Sequence, residues 1–165
     1  MSLSKALAPL ARRISNMLAR GSVTLANAAG KLQTLQIALL SDEAKDSVEH
    51  FEPFGFTSNP HIGAEVLTAF IEGDRSHGIV LVATDRRYRL QNLLTGEVAI
   101  YDDHGGFIKL SQSGITINGG AHPITISGAA TVTVTGGDVL ADGISLKNHK
   151  HGCVQTGSSQ TGLPV

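Results

Sequence analysis

Between Gly96 and Cys153 the chain becomes a train of short alternating segments, and no other stretch limits its possible folds as much. Val98-Ala99-Ile100, Phe107 to Leu110, Ile115-Thr116-Ile117, Ile124-Thr125-Ile126, Thr131 to Thr135 and Val139-Leu140 are separated by Gly-Gly, Ser-Gly or Asp-Gly turns. Alternation with a period of two puts Ile, Val and Leu on one face of each strand and Thr, Ser, Asn and Lys on the other, so one face needs a cover. No helical pattern lies nearby to supply it. A single ladder of such short, glycine-punctuated strands leaves open edges and does not offset the entropy of ordering its glycines. Intertwining of identical chains solves both problems. Three copies wound about one axis bring the apolar faces together inside and give each edge strand a partner on another chain. The expected product is a stiff rod.

The rod ends in a particular chemistry. His149-Lys150-His151 follows the last alternation, Ile144-Ser145-Leu146. On an extended strand residues two apart share a face, so both imidazoles point one way and Lys150 the other. Three chains on an axis would gather six imidazoles, a donor set suited to an octahedral iron, nickel or cobalt ion, whereas zinc prefers four ligands. A His-x-His pair taken alone is equally what a solvated surface offers; its place at the end of a threefold rod turns the reading toward metal. Cys153 has the same parity as the two histidines but reads as a bystander. As the single cysteine it has no intrachain disulfide partner, which fits synthesis in a reducing compartment.

At 165 residues the chain has room for one or two small domains. A net charge of −1 gives no global reason to expect nucleic acid, and an aromatic content of 4% without tryptophan provides few stacking platforms. No apolar run approaches the roughly 18 residues that span a bilayer, and nothing reads as a secretory signal.

Residues 1–20 read as a basic amphipathic helix. Leu3, Leu7, Leu10, Ile14 and Met17 recur at alternating four and three spacing, with Lys5, Arg12, Arg13 and Arg20 off that stripe. Pro9 is expected to break the helix or start its stable part, and Gly21 to stop it. Packing on its own domain or on a trimer partner is favoured over a membrane-surface role. From Ser22 the rhythm is that of strands: an alternation clean from Leu35, then Ala64 to Ile71 and Gly78 to Ala83 joined by a Gly73-Asp74 turn. Some five strands around the loop Phe51 to Pro60 predict a small Greek-key barrel of the OB type, a fold that does not by itself imply nucleic-acid binding.

Isolated polar residues receive plain readings. Asp85-Arg86-Arg87-Tyr88-Arg89 resembles a phosphate-contact cluster, but no second basic stripe extends it, so a solvated turn or subunit salt bridges to Glu72, Asp74 or Glu97 is preferred. His77 after Asp74-Arg75-Ser76 invites a catalytic reading, but the serines lie in turns and Cys153 is far along the chain, so no nucleophile and base constellation is formed and the chain is not expected to be an enzyme. His50, His61, His104 and His122 are expected in loops facing solvent. Asp102-Asp103 and Asp138 with Asp142 offer oxygen ligands of the calcium type, with turn formation the preferred reading.

Several motifs in one order carry a resemblance. Val48-Glu49-His50-Phe51-Glu52-Pro53-Phe54-Gly55-Phe56-Thr57-Ser58, Gly63-Ala64-Glu65, Gly73-Asp74-Arg75-Ser76-His77-Gly78, Asp85-Arg86-Arg87-Tyr88-Arg89 and Gly96-Glu97-Val98-Ala99-Ile100-Tyr101 are similar to the central spike, or baseplate assembly protein V, of Mu-like contractile-tailed bacteriophages. The resemblance implies a mainly β homotrimer divided into an N-terminal amphipathic helix (1–21), an OB-fold domain (22–95), a triple-stranded β-helix needle (96–147) and a metal-binding apex (148–165). It implies one iron ion per trimer held by His149 and His151, with calcium a further candidate. The expected role is to pierce the host outer membrane when the tail sheath contracts. The expected partners are two further copies, the tail tube and baseplate hub proteins and, transiently, that membrane, with no nucleic acid. The protein is expected in the virion tail baseplate after synthesis in the host cytoplasm. The alternative is an OB-fold module binding nucleic acid or glycan through a β-rich oligomerisation tail.

Overall fold

The computed structural model describes residues 3–39, 43–128, 131–150 and 157. The chain separates into two compact units, 1–122 and 123–165.

In the first unit, a helix, α1 (Leu3–Asn16), leads into β1 (Leu18–Asn27). Then follow β2 (Gln33–Leu39), β3 (Ala44–His50), β4 (Glu65–Phe70), a 3-10 turn (Ile71–Gly73) and β5 (Gly78–Thr84). These five strands close into a barrel in the order β1-β2-β3-β5-β4, with β1 long enough to pair with both β2 and β4. The closing contact between β3 and β5 is parallel and short, Glu49 opposite Ile79 and His50 opposite Val80. This is the arrangement expected of an OB-type barrel.

Strand alternation builds the interior. Gln33, Leu35, Ile37 and Leu39 on β2 point inward, as do Val66, Thr68 and Phe70 on β4, and they meet Val23, Val48, Ala64 and Val80. Register shifts at Val23/Leu25, Leu35/Ile37 and Leu67/Thr68 interrupt the ladders; such bulges raise local twist and let a five-stranded sheet bend round on itself.

The entry to the barrel differs from the sequence expectation. Pro9 lies inside α1, where the hydrogen bond it forgoes would have run to the first turn. The helix stops at Asn16, well before Gly21, because the Met17 carbonyl is taken by the Phe70 N–H at 2.8 Å as β1 begins. Gly21 is a strand residue: a Cβ there would lie 2.5 Å from the Ala38 carbonyl oxygen across the β1–β2 ladder. The 3-10 turn docks against the end of α1 just as closely. Gly73, at φ 74°, would put a Cβ 2.4 Å from the Arg13 carbonyl oxygen.

After the barrel comes a three-stranded antiparallel sheet, β6 (Val98–Tyr101), β7 (Gly106–Ser111) and β8 (Gly114–Gly119). Its register aligns two aliphatic rows, Val98–Leu110–Ile115 and Ile100–Ile108–Ile117. Cross-strand partners share a face, so the rows form one apolar patch. All six side chains are exposed, from 40% at Ile108 to 70% at Ile115.

In the second unit the described strands are β9 (Leu140–Ala141) and β10 (Ile144–Ser145), joined by Asp142 (φ 47°) and Gly143 (φ 84°). Two consecutive positive φ values are those of the primed hairpin turn that Asp-Gly favours. The expected segments Ile124 to Ile126 and Thr131 to Thr135 carry no intrachain strand pairing. Ile124, Ile126, Val132, Val134, Leu140, Ile144 and Leu146 are all more than half exposed.

Candidate functional site

The β9–β10 hairpin holds His149 through a small polar knot. Asp138 Oδ1 accepts the N–H groups of Val139 at 2.8 Å and Lys147 at 3.1 Å, while its Oδ2 accepts the Ser145 hydroxyl. Ser145 Oγ in turn accepts the Asn148 N–H at 2.7 Å. The Ser145 carbonyl accepts the His149 backbone N–H at 3.1 Å. His149 Nδ1 lies 2.9 Å from the Ser145 carbonyl oxygen and 3.1 Å from that of Leu146. Carbonyl oxygens only accept, so Nδ1–H donates to them, and in that tautomer Nε2 is the ring's acceptor nitrogen. A backbone carbonyl fixing the tautomer in this way is the usual outer support of a metal-ligating imidazole. The donor chemistry at His149 therefore fits a transition metal. The Ser145 hydroxyl, foremost among several partners, holds the Asp138 carboxyl below its ordinary range, so the knot is anionic at neutral pH. His151 and Cys153 lie outside the described residues.

The other candidates resolve into structural roles. Asp102 Oδ1 accepts the N–H groups of His104 at 2.8 Å and Gly106 at 2.7 Å and so makes the β6–β7 turn. Asp103 stands between two imidazoles, with His61 Nε2 2.6 Å from Oδ2 and His104 Nδ1 2.5 Å from Oδ1. The His61 hydrogen bond is the main cause holding the Asp103 carboxyl below its usual range. His122 completes the group, edge-on to His104 with ring centroids 5.9 Å apart. Ligand atoms of Asp102, Asp103 and His104 fall within 4.8 Å of one another, but the turn already engages Asp102. A cleft of about 450 Å³ lies beside this group, lined by His61, Asp85, Tyr88, Tyr101 and the two aspartates.

In the basic cluster Arg86 and Arg87 are ion-paired within the chain, while Arg89 reaches the Leu90 carbonyl at 3.4 Å. Arg86 Nε reaches Glu65 at 2.6 Å, beside Arg20 on the same carboxylate at 2.7 Å, and Arg87 reaches Asp85 at 2.6 Å. The expected solvated turn is present, with the Tyr88 N–H bonded to the Asp85 carbonyl at 3.3 Å, while within the chain Asp74 is engaged by Ser76, and Glu97 by the Leu94 N–H and Lys109. His77 is exposed, its backbone N–H bonded to the Asp74 carbonyl in a turn.

His50 corrects a sequence expectation. It is 4% exposed, at the inward end of β3, and its Nδ1 lies 2.8 Å from Gln33 Oε1. Gln33 Nε2 passes the chain on to the Ser58 carbonyl at 2.7 Å, and Glu52 accepts the Ser58 N–H at 2.7 Å. His50 has the parity of buried Val48, and that shared parity was the available signal. The network pins the loop that presents Phe51, Phe54 and Phe56 to solvent.

With this geometry in place, likeness to known proteins can be read at both ends of the chain. The family model described as Bacteriophage Mu Gp45, N-terminal, matches residues 20–87, the barrel from the start of β1 to just past β5. The GpV apex motif matches residues 143–165, beginning at the hairpin glycine and taking in His149 and His151. The chain resembles the gp45 proteins of Mu-like phages. It is 43% identical over 113 residues to the baseplate puncturing device gp45 of Escherichia phage Mu, a match covering 68% of this chain and 57% of the Mu protein. It is 28% identical over 172 residues to the Mu-like prophage FluMu protein gp45 of Haemophilus influenzae, covering 91% of this chain and 94% of that one. The chain thus spans less than two thirds of the Mu protein, and the resemblance drawn from its motifs is borne out.

Proposed function

We propose that this chain is the membrane-piercing spike of a phage tail baseplate, acting as a homotrimer in the virion. One observation carries the reading. Among the described residues the aliphatic rows of β6–β8 and the alternating residues from Ile124 to Leu140 are left exposed, and this stretch follows the Mu Gp45 barrel match and precedes the apex motif. Six exposed aliphatic side chains on one short sheet form a patch of the kind that marks an interface. Two further copies would cover it and would give the unpaired segments backbone partners, producing the triple-stranded needle. A spike of this kind needs stiffness, a polar exterior and an end that does not fray, and it needs no turnover. Thr131, Thr133 and Thr135 supply polar positions between Val132 and Val134.

At the apex, His149 and His151 of each chain would hold one iron ion per trimer, fastening three chain ends where apolar packing is thinnest. When bound, the metal supplies cross-linking energy, because a site absent from the unfolded chains adds its binding energy to folding. The chain's own contribution is the Asp138–Ser145 knot, which orients His149. Among the described residues no helix is long and apolar enough to cross a membrane. The barrel arginines are ion-paired within the chain, which supports the reading without nucleic acid.

Two measurements test this. The double variant His149→Ala, His151→Ala should keep the trimer and lose its iron; equal iron in variant and parent contradicts the metal assignment. Antibody against the chain should decorate assembled tails at the end distal to the head. Decoration along the sheath or at the head contradicts the spike.

A further inference from the structure

Among the described residues the stripe on α1 is largely uncovered by the barrel. Leu7, Leu10 and Ile14 are half exposed or more, as is Leu18 just beyond the helix, and Met17 is 43% exposed. The helix meets the barrel mainly at one end, through the 3-10 turn at Gly73. That docking and the Phe70–Met17 hydrogen bond fix the direction in which α1 leaves the barrel and leave its long face uncovered.

The spacing says what covers it. Leu3, Leu7, Leu10, Ile14 and Met17 follow a strict four-three alternation, the d-a-d-a-d of a heptad seam, narrower than the stripe of a helix meant to lie on a globular core. Charge follows the same frame. Lys5 and Arg12 take the f position, farthest from the seam, and Pro9 takes c, also outside it. The flanking e and g positions hold Ser4, Ala6 and Ala11, with Arg13 the one charge among them. A membrane-surface helix would use a broader apolar face and gain from its cations directly; here the cations are placed where a self-associating seam tolerates them.

We propose that α1 pairs with the α1 helices of the other two copies in a parallel coiled coil at the barrel end of the trimer. This rests on the trimer reading above. With 14 residues the helix covers two heptads, too few to associate on its own. Three barrels already joined through their C-terminal halves would present the helices to one another at about millimolar effective concentration. The seam would then clamp the trimer at its N-terminal helices.

The test uses the full chain with Cys153→Ser and one added cysteine, either Leu10→Cys in the seam or Arg12→Cys outside it. Cα atoms across a d layer come within disulfide range, and those at f do not. Under mild oxidation the seam variant should give about tenfold more covalent dimer on a non-reducing gel than the f variant, with light scattering reporting a trimer for both. A trimer with equal cross-linking at the two positions overturns the seam and leaves the trimer standing. A monomer mass for both removes the trimer itself. An uncross-linked Leu10→Cys chain that sediments with phosphatidylglycerol vesicles would mean that the helix serves a membrane surface, which also overturns the seam.

Discussion

His50 Nδ1 donates to Gln33 Oε1 across 2.8 Å inside the barrel, and the bond holds a histidine ring in an otherwise largely apolar interior. Burial is the main cause pushing the His50 pKa below its ordinary 6.5, with the Glu52 charge opposing it. The unfolded chain therefore takes up this proton first as pH falls. The contribution is complete above about 6.5 and is lost as pH drops toward the lowered value in the folded state. Thermal unfolding followed from pH 7 to 5 should show a falling midpoint, and His50→Gln should flatten that slope. An unchanged slope in the variant contradicts the assignment. Below about 4.5 a second fall should remain in both, because Glu43, held low chiefly by its hydrogen bond to Arg75, then takes up its proton.

Thr68 offers an opposite case. Its hydroxyl is fully buried on β4 and has no hydrogen-bond partner among the described residues. Thr68→Val keeps the shape and removes the unpaired group, so it should stabilise the barrel by about 1 kcal/mol. Denaturant unfolding with an unchanged m-value checks this, and a destabilised variant refutes it.

Gly73 is held at φ 74° with the Arg13 carbonyl where a Cβ would go. Gly73→Ala should cost about 2 kcal/mol through left-handed strain and displacement of the helix end. Circular dichroism should show α1 loosening before the barrel melts. A variant as stable as the parent would mean that the turn and helix part readily.

The barrel was legible in the sequence because its strands satisfy themselves. Leu35, Ile37 and Leu39 alternate, their cover is within the same 75 residues, and the expected Gly73-Asp74 turn follows β4 directly. Gly21 misled because a glycine required by close backbone approach to Ala38 looks, in one dimension, like a helix stop. His50 misled because a buried polar network depends on Gln33 from another strand. The turn roles of Asp102 and Asp138 were legible, since short carboxylates beside glycine bond their own backbone. For the segments 124–126 and 131–135 the alternation was clear, yet among the described residues they carry no strand pairing.

The aliphatic face of β6–β8 gives a direct handle on the trimer reading. Ile108 sits in the middle of the row Ile100–Ile108–Ile117. If sister chains cover it, Ile108→Asp buries an unpaired charge and should abolish the trimer while the barrel still folds. If the row faces water, the substitution is neutral. Sedimentation velocity distinguishes the two outcomes.

The mass of the intact protein in dilute solution tests the central claim most directly. Light scattering should report three times the 17.2 kDa of one chain, and the trimer should persist on dilution to nanomolar concentration. A folded species of 17.2 kDa with the Val98, Ile100 and Ile117 side chains in water would contradict the intertwined spike.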